Sequence, residues 1–269
     1  MIRAIAVYPG DSPCAKAMER HAVEVARLFN GSVRLVCAWK PNVSEMRRKE
    51  EENPLVLIEK EAAAKVLQMQ AEGVAAEPAP YGDSLDEALQ DEARLADLLV
   101  LGLPPLGAMR EDSAAAAIHK SSLPYIRKAE GNVLVVSDIP QPIKRICVSC
   151  KSIPDGKPVL RLAGVWAEKT QAELTVVAAS NRSKGAAEKA GAEAKRYLDA
   201  FDIPNLSILE YEGEPQASAT ALRGAEECGA DLLIVGATTY TRVGGYFWHS
   251  GSAEEVASQA KTPVLLARY

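Results

Sequence analysis

The chain has 269 residues, 48% hydrophobic and 25% charged, with 31 Lys+Arg against 36 Asp+Glu for a formal net charge of −5. That length holds one large domain or two small ones with a sizeable core, and the composition excludes wholesale disorder. The acidic balance speaks against general nucleic-acid or anionic-membrane binding, which draw on basic surfaces, and no apolar run reaches the roughly 18–20 residues of a membrane-spanning helix.

The opening, MIRAIAVYPGDSP, is too short in its apolar part for a signal peptide and reads as a strand over Ile2–Tyr8. A helix from about Ser12 to Phe29 follows, with Ala15, Met18, Ala22, Val25 and Leu28 recurring every three or four residues. Strand Ser32–Trp39 comes next, then the charged run Arg47–Glu52, expected as a solvated loop, and a long helix over Pro54–Ala71. An extended piece at Ala75–Pro80 precedes a helix at Ser84–Arg94 and strand Asp97–Gly102. An irregular stretch, a helix near Ser121–Ala129 and strand Val133–Val136 complete the first half. Strands buried on both faces and alternating with amphipathic helices specify βαβ units around a parallel sheet.

The rest of the chain repeats this series. Ala96-Asp97-Leu98-Leu99-Val100-Leu101-Gly102 returns as Ala230-Asp231-Leu232-Leu233-Ile234-Val235-Gly236, identical at five of seven positions. Ile2–Val7 answers Ile143–Val148, Gly31–Ala38 answers Ala172–Ala179, Tyr81–Asp83 answers Glu212–Glu214, and Asn132–Val136 answers Pro263–Ala267. The offset stays between 131 and 141 residues, an order that unrelated domains would not keep. The chain is therefore a tandem duplication of an open five-stranded α/β sandwich, with a shorter loop after strand two in the second copy. The seam falls at Ser137-Asp138-Ile139-Pro140-Gln141-Pro142, a short stiff linker, and the expected domains are 1–139 and 143–269.

Enzymatic signatures are missing from the sequence. It contains no G-x-x-x-x-G-K-[ST], no G-x-G-x-x-G after the first strand of either copy, no G-x-S-x-G and no H-E-x-x-H. Its three histidines, His21, His119 and His249, lie far apart, and no metal site is expected. Five cysteines, an odd number, read as free thiols in a reducing cytoplasm. Cys147-Val148-Ser149-Cys150 matches C-x-x-C but lies along a predicted strand, where residues three apart point to opposite faces. It reads as buried small residues rather than as a redox motif.

The informative stretch runs from Gly236 to Glu255. It starts where the fourth strand of the second copy ends, at the edge where open α/β sheets bind ligands, and finishes with Gly251-Ser252-Ala253 at a helix start. A phosphate fits such a place, because glycine permits close backbone approach, free N–H groups point outward and the helix dipole favours an anion. On spacing alone a second reading stands beside it: Gly236 ends a strand, and Ser252 caps a helix with Glu255 in an S-x-x-E capping box.

The repeat order and this last stretch resemble the universal stress protein family in its tandem two-domain form. The resemblance implies the adenine nucleotide α-hydrolase-like fold, with the last strands of the two domains paired antiparallel into an internal pseudo-dimer. The family's nucleotide-binding members carry G-x-x-G and then G-[ST] after the fourth strand, on the phosphates and ribose of ATP. Here Gly236-x-x-Thr239 is followed by eleven residues and then Gly251-Ser252, so Thr239 replaces a glycine and the loop is two residues longer. The family's adenine-contacting aspartate follows strand one. The second copy has Lys151 there, whereas Asp11 of the first copy serves if its turn is shifted by one residue.

The first copy departs further: Leu103-Pro104-Pro105-Leu106-Gly107 follows Gly102, and Lys120-Ser121 takes the place of the glycine–hydroxyl pair. The resemblance thus implies binding of ATP or a related adenine nucleotide, with magnesium, at Gly236, Thr239, Gly251, Ser252 and Ala253, and no catalytic residues. It also implies a protein partner of unknown identity and association of two chains. Two alternatives stay open. One is an interaction module whose cleft is closed and whose contacts come from Tyr246-Phe247-Trp248; the other is a slow ATPase, for which His249 is the only nearby histidine.

Overall fold

The computed structural model describes residues 2–7, 14–36, 54–79, 85–102, 125–126, 129–137, 140–150, 153–180, 185–213, 217–237, 242–243, 246–247 and 252–268. The first half runs β1 (Ala4–Val7), α1 (Ala15–Phe29), β2 (Ser32–Leu35), α2 (Pro54–Ala71), β3 (Ala75–Pro78), α3 (Leu85–Leu95), β4 (Leu98–Gly102) and β5 (Asn132–Val136). The second half runs β6 (Arg145–Cys150), α4 (Lys157–Thr170), β7 (Glu173–Ser180), α5 (Ala186–Leu198), β8 (Leu206–Glu212), α6 (Ala217–Glu227) and β9 (Leu232–Gly236). A short hairpin, β10 (Arg242–Val243) and β11 (Tyr246–Phe247), then precedes α7 (Ser252–Gln259) and β12 (Val264–Ala267).

The strands form one ten-stranded sheet in the order β3-β2-β1-β4-β5-β12-β9-β6-β7-β8. Within each half neighbouring strands are parallel, and the halves meet through β5 and β12, which pair antiparallel with Leu134 opposite Leu265. The expected five-stranded unit, its repetition and the antiparallel junction are thus all present. Of the helix expected near Ser121–Ala129, Tyr125 and Ile126 are helical, and Ala129 lies beyond the helix. The run Arg47–Glu52 lies outside the described residues, as does the end of the strand expected to reach Trp39.

Period-two alternation sorts the strand side chains onto two cores. Ile5, Val100, Ile146 and Ile234 face α1, α2, α4 and α5, while Leu99, Cys147, Leu233 and Leu266 face α3, α6 and α7. The first core runs unbroken across both halves. Phe29 of α1 meets Trp166 of α4 with ring centroids 5.2 Å apart at a 57° tilt, and Trp166 is fully buried. On the other face Arg34 of β2 reaches the buried carboxylate of Glu92 in α3 with two bonds of 2.7 Å. That pairing raises the Arg34 pKa further above its ordinary value.

The duplicated Ala-Asp dipeptides have a physical role. The Asp97 carboxylate accepts from the backbone N–H groups of Arg3 and Ala4 at 2.7 and 3.0 Å, and Asp231 accepts from Lys144 and Arg145 at 3.0 and 2.9 Å. Each aspartate therefore satisfies the first backbone donors of its neighbouring strand. The helices after the first strands end alike too, at left-handed Asn30 and Gln171, both with φ of 53°. Gly31 follows Asn30 because a Cβ there would stand 2.9 Å from the Arg3 carbonyl oxygen.

Candidate functional site

In the second half, β6 runs to β7 through α4 on one face, whereas β9, on the other side of β6, is reached through α6 on the opposite face. The strand order therefore reverses between β6 and β9, and open α/β sheets take ligands at the carboxyl ends of such a switch point. Gly236 is the last residue of β9, one beyond the pair Ser149–Val235, and is half-buried. The next residue, Ala237, is buried and donates its N–H to the Ala267 carbonyl at 2.8 Å, which prolongs pairing with β12 past the strand end.

The chain returns to this face of the sheet in α7, which begins at Ser252, and Ala253 is buried against the core. Glu254 and Glu255 occupy the first turn of α7, where carboxylates suit the positive end of the helix. The Glu255 carboxylate receives Gln259 Nε2 at 3.4 Å, and its carbonyl receives the Ser258 hydroxyl at 2.9 Å. Of the residues expected at the site, Gly236, Ser252 and Ala253 are therefore at a strand end and a helix start on the relevant edge. Thr239, Gly251 and Asp11 lie outside the described residues, as do Lys151, His249 and Trp248.

One element here was not anticipated. Arg242 pairs with Phe247 and Val243 with Tyr246 in an antiparallel hairpin, so two of the three clustered aromatics belong to a strand rather than to a structureless loop. The signal was available, because Gly244-Gly245 between two short β-prone pairs is a two-residue hairpin signature.

The corresponding edge of the first half differs. A Cβ on Gly102, the last residue of β4, would stand 2.6 Å from Cys14 Cβ and 3.1 Å from Met18 Sδ. The first turn of α1 thus presses directly on that backbone, and Cys14 and Met18 are both buried. Aligning the left-handed helix ends places Asp155 at the position of Cys14, and Asp155 is exposed. Among the described residues no group of three His, Cys, Asp or Glu side chains could hold a metal ion, and no helix is long and apolar enough to cross a membrane. A pocket of about 340 Å³ is lined by Ile153, between β6 and α4, and by Glu193, Arg196 and Tyr197 of α5.

A family model described as the universal stress protein family matches the chain twice, over residues 1–137 and 142–268. Among solved structures, the chain is similar to a universal stress protein from Archaeoglobus fulgidus, with a TM-score of 0.68, 16% identity and 98% of each chain covered. A functionally unknown protein from Pseudomonas aeruginosa gives a TM-score of 0.67 at 17% identity, over 99% of this chain and 92% of that one. No curated protein sequence matches the chain significantly.

Proposed function

The chain belongs to the universal stress protein family, and from that premise we propose that its second half binds ATP or a related adenine nucleotide and signals occupancy through a protein partner. The observation that carries this reading is Gly236 at the end of β9 beside the switch point, with α7 beginning at Ser252 on the same half. In this reading Gly236 lets the nucleotide approach the backbone, and Thr239 supplies a hydroxyl. Gly251 leaves room for a phosphate, while the Ser252 hydroxyl and the N–H groups of Ser252 and Ala253 receive it at the positive end of α7. Magnesium arrives with the phosphates.

Asp11 is the adenine-side candidate of the first half, where two prolines after Gly102 remove the N–H donors a phosphate needs. We assign no catalytic step, because the sequence carries no general base or nucleophile motif beside the glycines. The cytoplasm, a division into 1–139 and 143–269, and association of two chains complete the proposal; the paired family matches and the β5–β12 junction support the division.

Substituting Gly251→Asp puts a carboxylate in the proposed phosphate position. It is expected to abolish the thermal stabilisation that ATP gives the protein while leaving the ligand-free melting temperature within a few degrees. Unchanged stabilisation by ATP would contradict the assignment. The β10–β11 hairpin favours one competing reading, in which Tyr246 and Phe247 anchor a protein contact without any nucleotide. Capture of a partner that is lost on Trp248→Ala, in a protein that ignores ATP, would establish that reading instead.

A further inference from the structure

The niche between the first two strands of each half and the helix that covers them is filled differently in the two copies. In the first half Ala6 is paired with Arg34, and Arg34 crosses to Glu92 of α3. At the same register positions the second half has Cys147 paired with Thr175, and Cys228 directly follows the covering helix α6. Cys147 is fully buried, and its neighbour Cys228 packs against the same core while half-buried. Both cysteines belong to one packed cluster with Tyr211 and Val177, and both are reduced.

The surroundings make the two sulfurs unlike. Neutral Cys228 donates to the Ala225 carbonyl at 3.6 Å. As a thiolate it accepts from Cys147 first, then from the Thr175 hydroxyl and the backbone N–H groups of Cys228 and Ala230; together these outweigh desolvation and bring its pKa down to about 7. The bond it donates to Cys228, and then burial, push the Cys147 thiol upward. A half-buried, readily ionised thiol thus lies beside a fully buried, protonated one. This is the arrangement of an attacking and a resolving cysteine. The pair lies near the start of β9, whereas Gly236 is at its end.

We propose that Cys228 and Cys147 form a peroxide-reactive dithiol that closes to an internal disulfide. The Cys228 thiolate attacks one oxygen of hydrogen peroxide. The O–O bond breaks, the departing hydroxide takes up a proton to become water, and Cys228 is left as the sulfenic acid. The Cys147 sulfur then attacks the Cys228 sulfur, the S–O bond breaks as the S–S bond forms, and the leaving hydroxide carries away the Cys147 proton as a second water. Two electrons pass from the sulfurs to the peroxide oxygens, and thioredoxin-like dithiols or dithiothreitol reverse the reaction.

The test treats the reduced full-length protein with equimolar hydrogen peroxide, quenches in acid with an alkylating agent, and maps peptides by mass. The expected product is a dithiothreitol-sensitive cross-link joining the Cys147 and Cys228 peptides. In Cys147→Ala, Cys228 stops at the sulfenic acid and is captured by dimedone. Cys228→Ser, at the half-exposed position, slows oxidation of Cys147 by about tenfold or more, so the proposal remains testable even if the buried substitution perturbs folding. A cross-link of Cys147 to Cys150 or Cys14, single oxidation of Cys228 in the unaltered protein, or no oxidation of either residue would overturn it.

Discussion

The two halves agree at one edge of the sheet and part at the other. At the edge where strands begin, Asp97 and Asp231 accept the same pair of backbone donors, and Asn30 and Gln171 end their helices in the same left-handed turn. At the edge where strands end, Gly102 is covered by Cys14 and Met18 and followed by two prolines. Gly236, by contrast, is followed by a threonine-rich run, a hairpin and the start of α7. Backbone hydrogen bonds that every such unit must satisfy hold sequence in step after duplication. The edge where strands end carries no such shared requirement, and there the two sequences diverge.

The largest effect expected from this comparison concerns the niche under the covering helices. Glu92→Ala removes the buried partner of Arg34 and leaves the guanidinium only the longer, exposed contact to Glu77; it is expected to cost about 2 kcal/mol of unfolding free energy in urea titration. Thr175→Val, at the matching position, removes a hydroxyl whose 2.9 Å partner Ser207 can turn to water, and should cost under about 1 kcal/mol. Equal costs would mean that the two niches are not the independent solutions described here.

A smaller and symmetric effect is expected at the shared edge. Asp97→Ala and Asp231→Ala each leave two backbone N–H groups without their carboxylate, for about 1–1.5 kcal/mol apiece. Losses differing by more than about 1 kcal/mol would break the equivalence of the halves, since such distant sites otherwise act independently.

The smallest effect is a pH dependence confined to the second half. Burial first, then the hydrogen bond to Glu227, raise the Tyr211 pKa to about 12. A folded pKa above the unfolded value near 10 contributes stability that is complete below pH 10 and is lost as the pH rises toward 12. Tyr211→Phe should flatten that slope in urea titrations at pH 9.5 and 11.5; an unchanged slope would show that the tyrosine does not report on the α6 packing.

Much of the architecture was legible because it rests on local rules. The helix over Pro54–Ala71 appears with the expected bounds, and the Ala-Asp repeat located both fourth strands before their carboxylates had a known task. The antiparallel β5–β12 junction came from family resemblance, since nothing in Val133–Val136 alone specifies its partner. The β10–β11 hairpin is marked in the sequence only by Gly244-Gly245, because two residues on each side are too few for an alternating strand pattern to show. The Cys147–Cys228 contact could not be read at all. The two cysteines meet only when α6 folds over β6, and the nearby Cys150 offered a false local partner.

The account stands most directly on whether one half, and only one, holds an adenine nucleotide. Calorimetric titration of the nucleotide-stripped protein with Mg-ATP should give micromolar affinity, about −8 kcal/mol. One site per chain is expected, unaffected by Asp11→Asn and absent in Gly251→Asp. Two equivalent sites per chain, or no heat up to millimolar ATP in a folded protein, would contradict it.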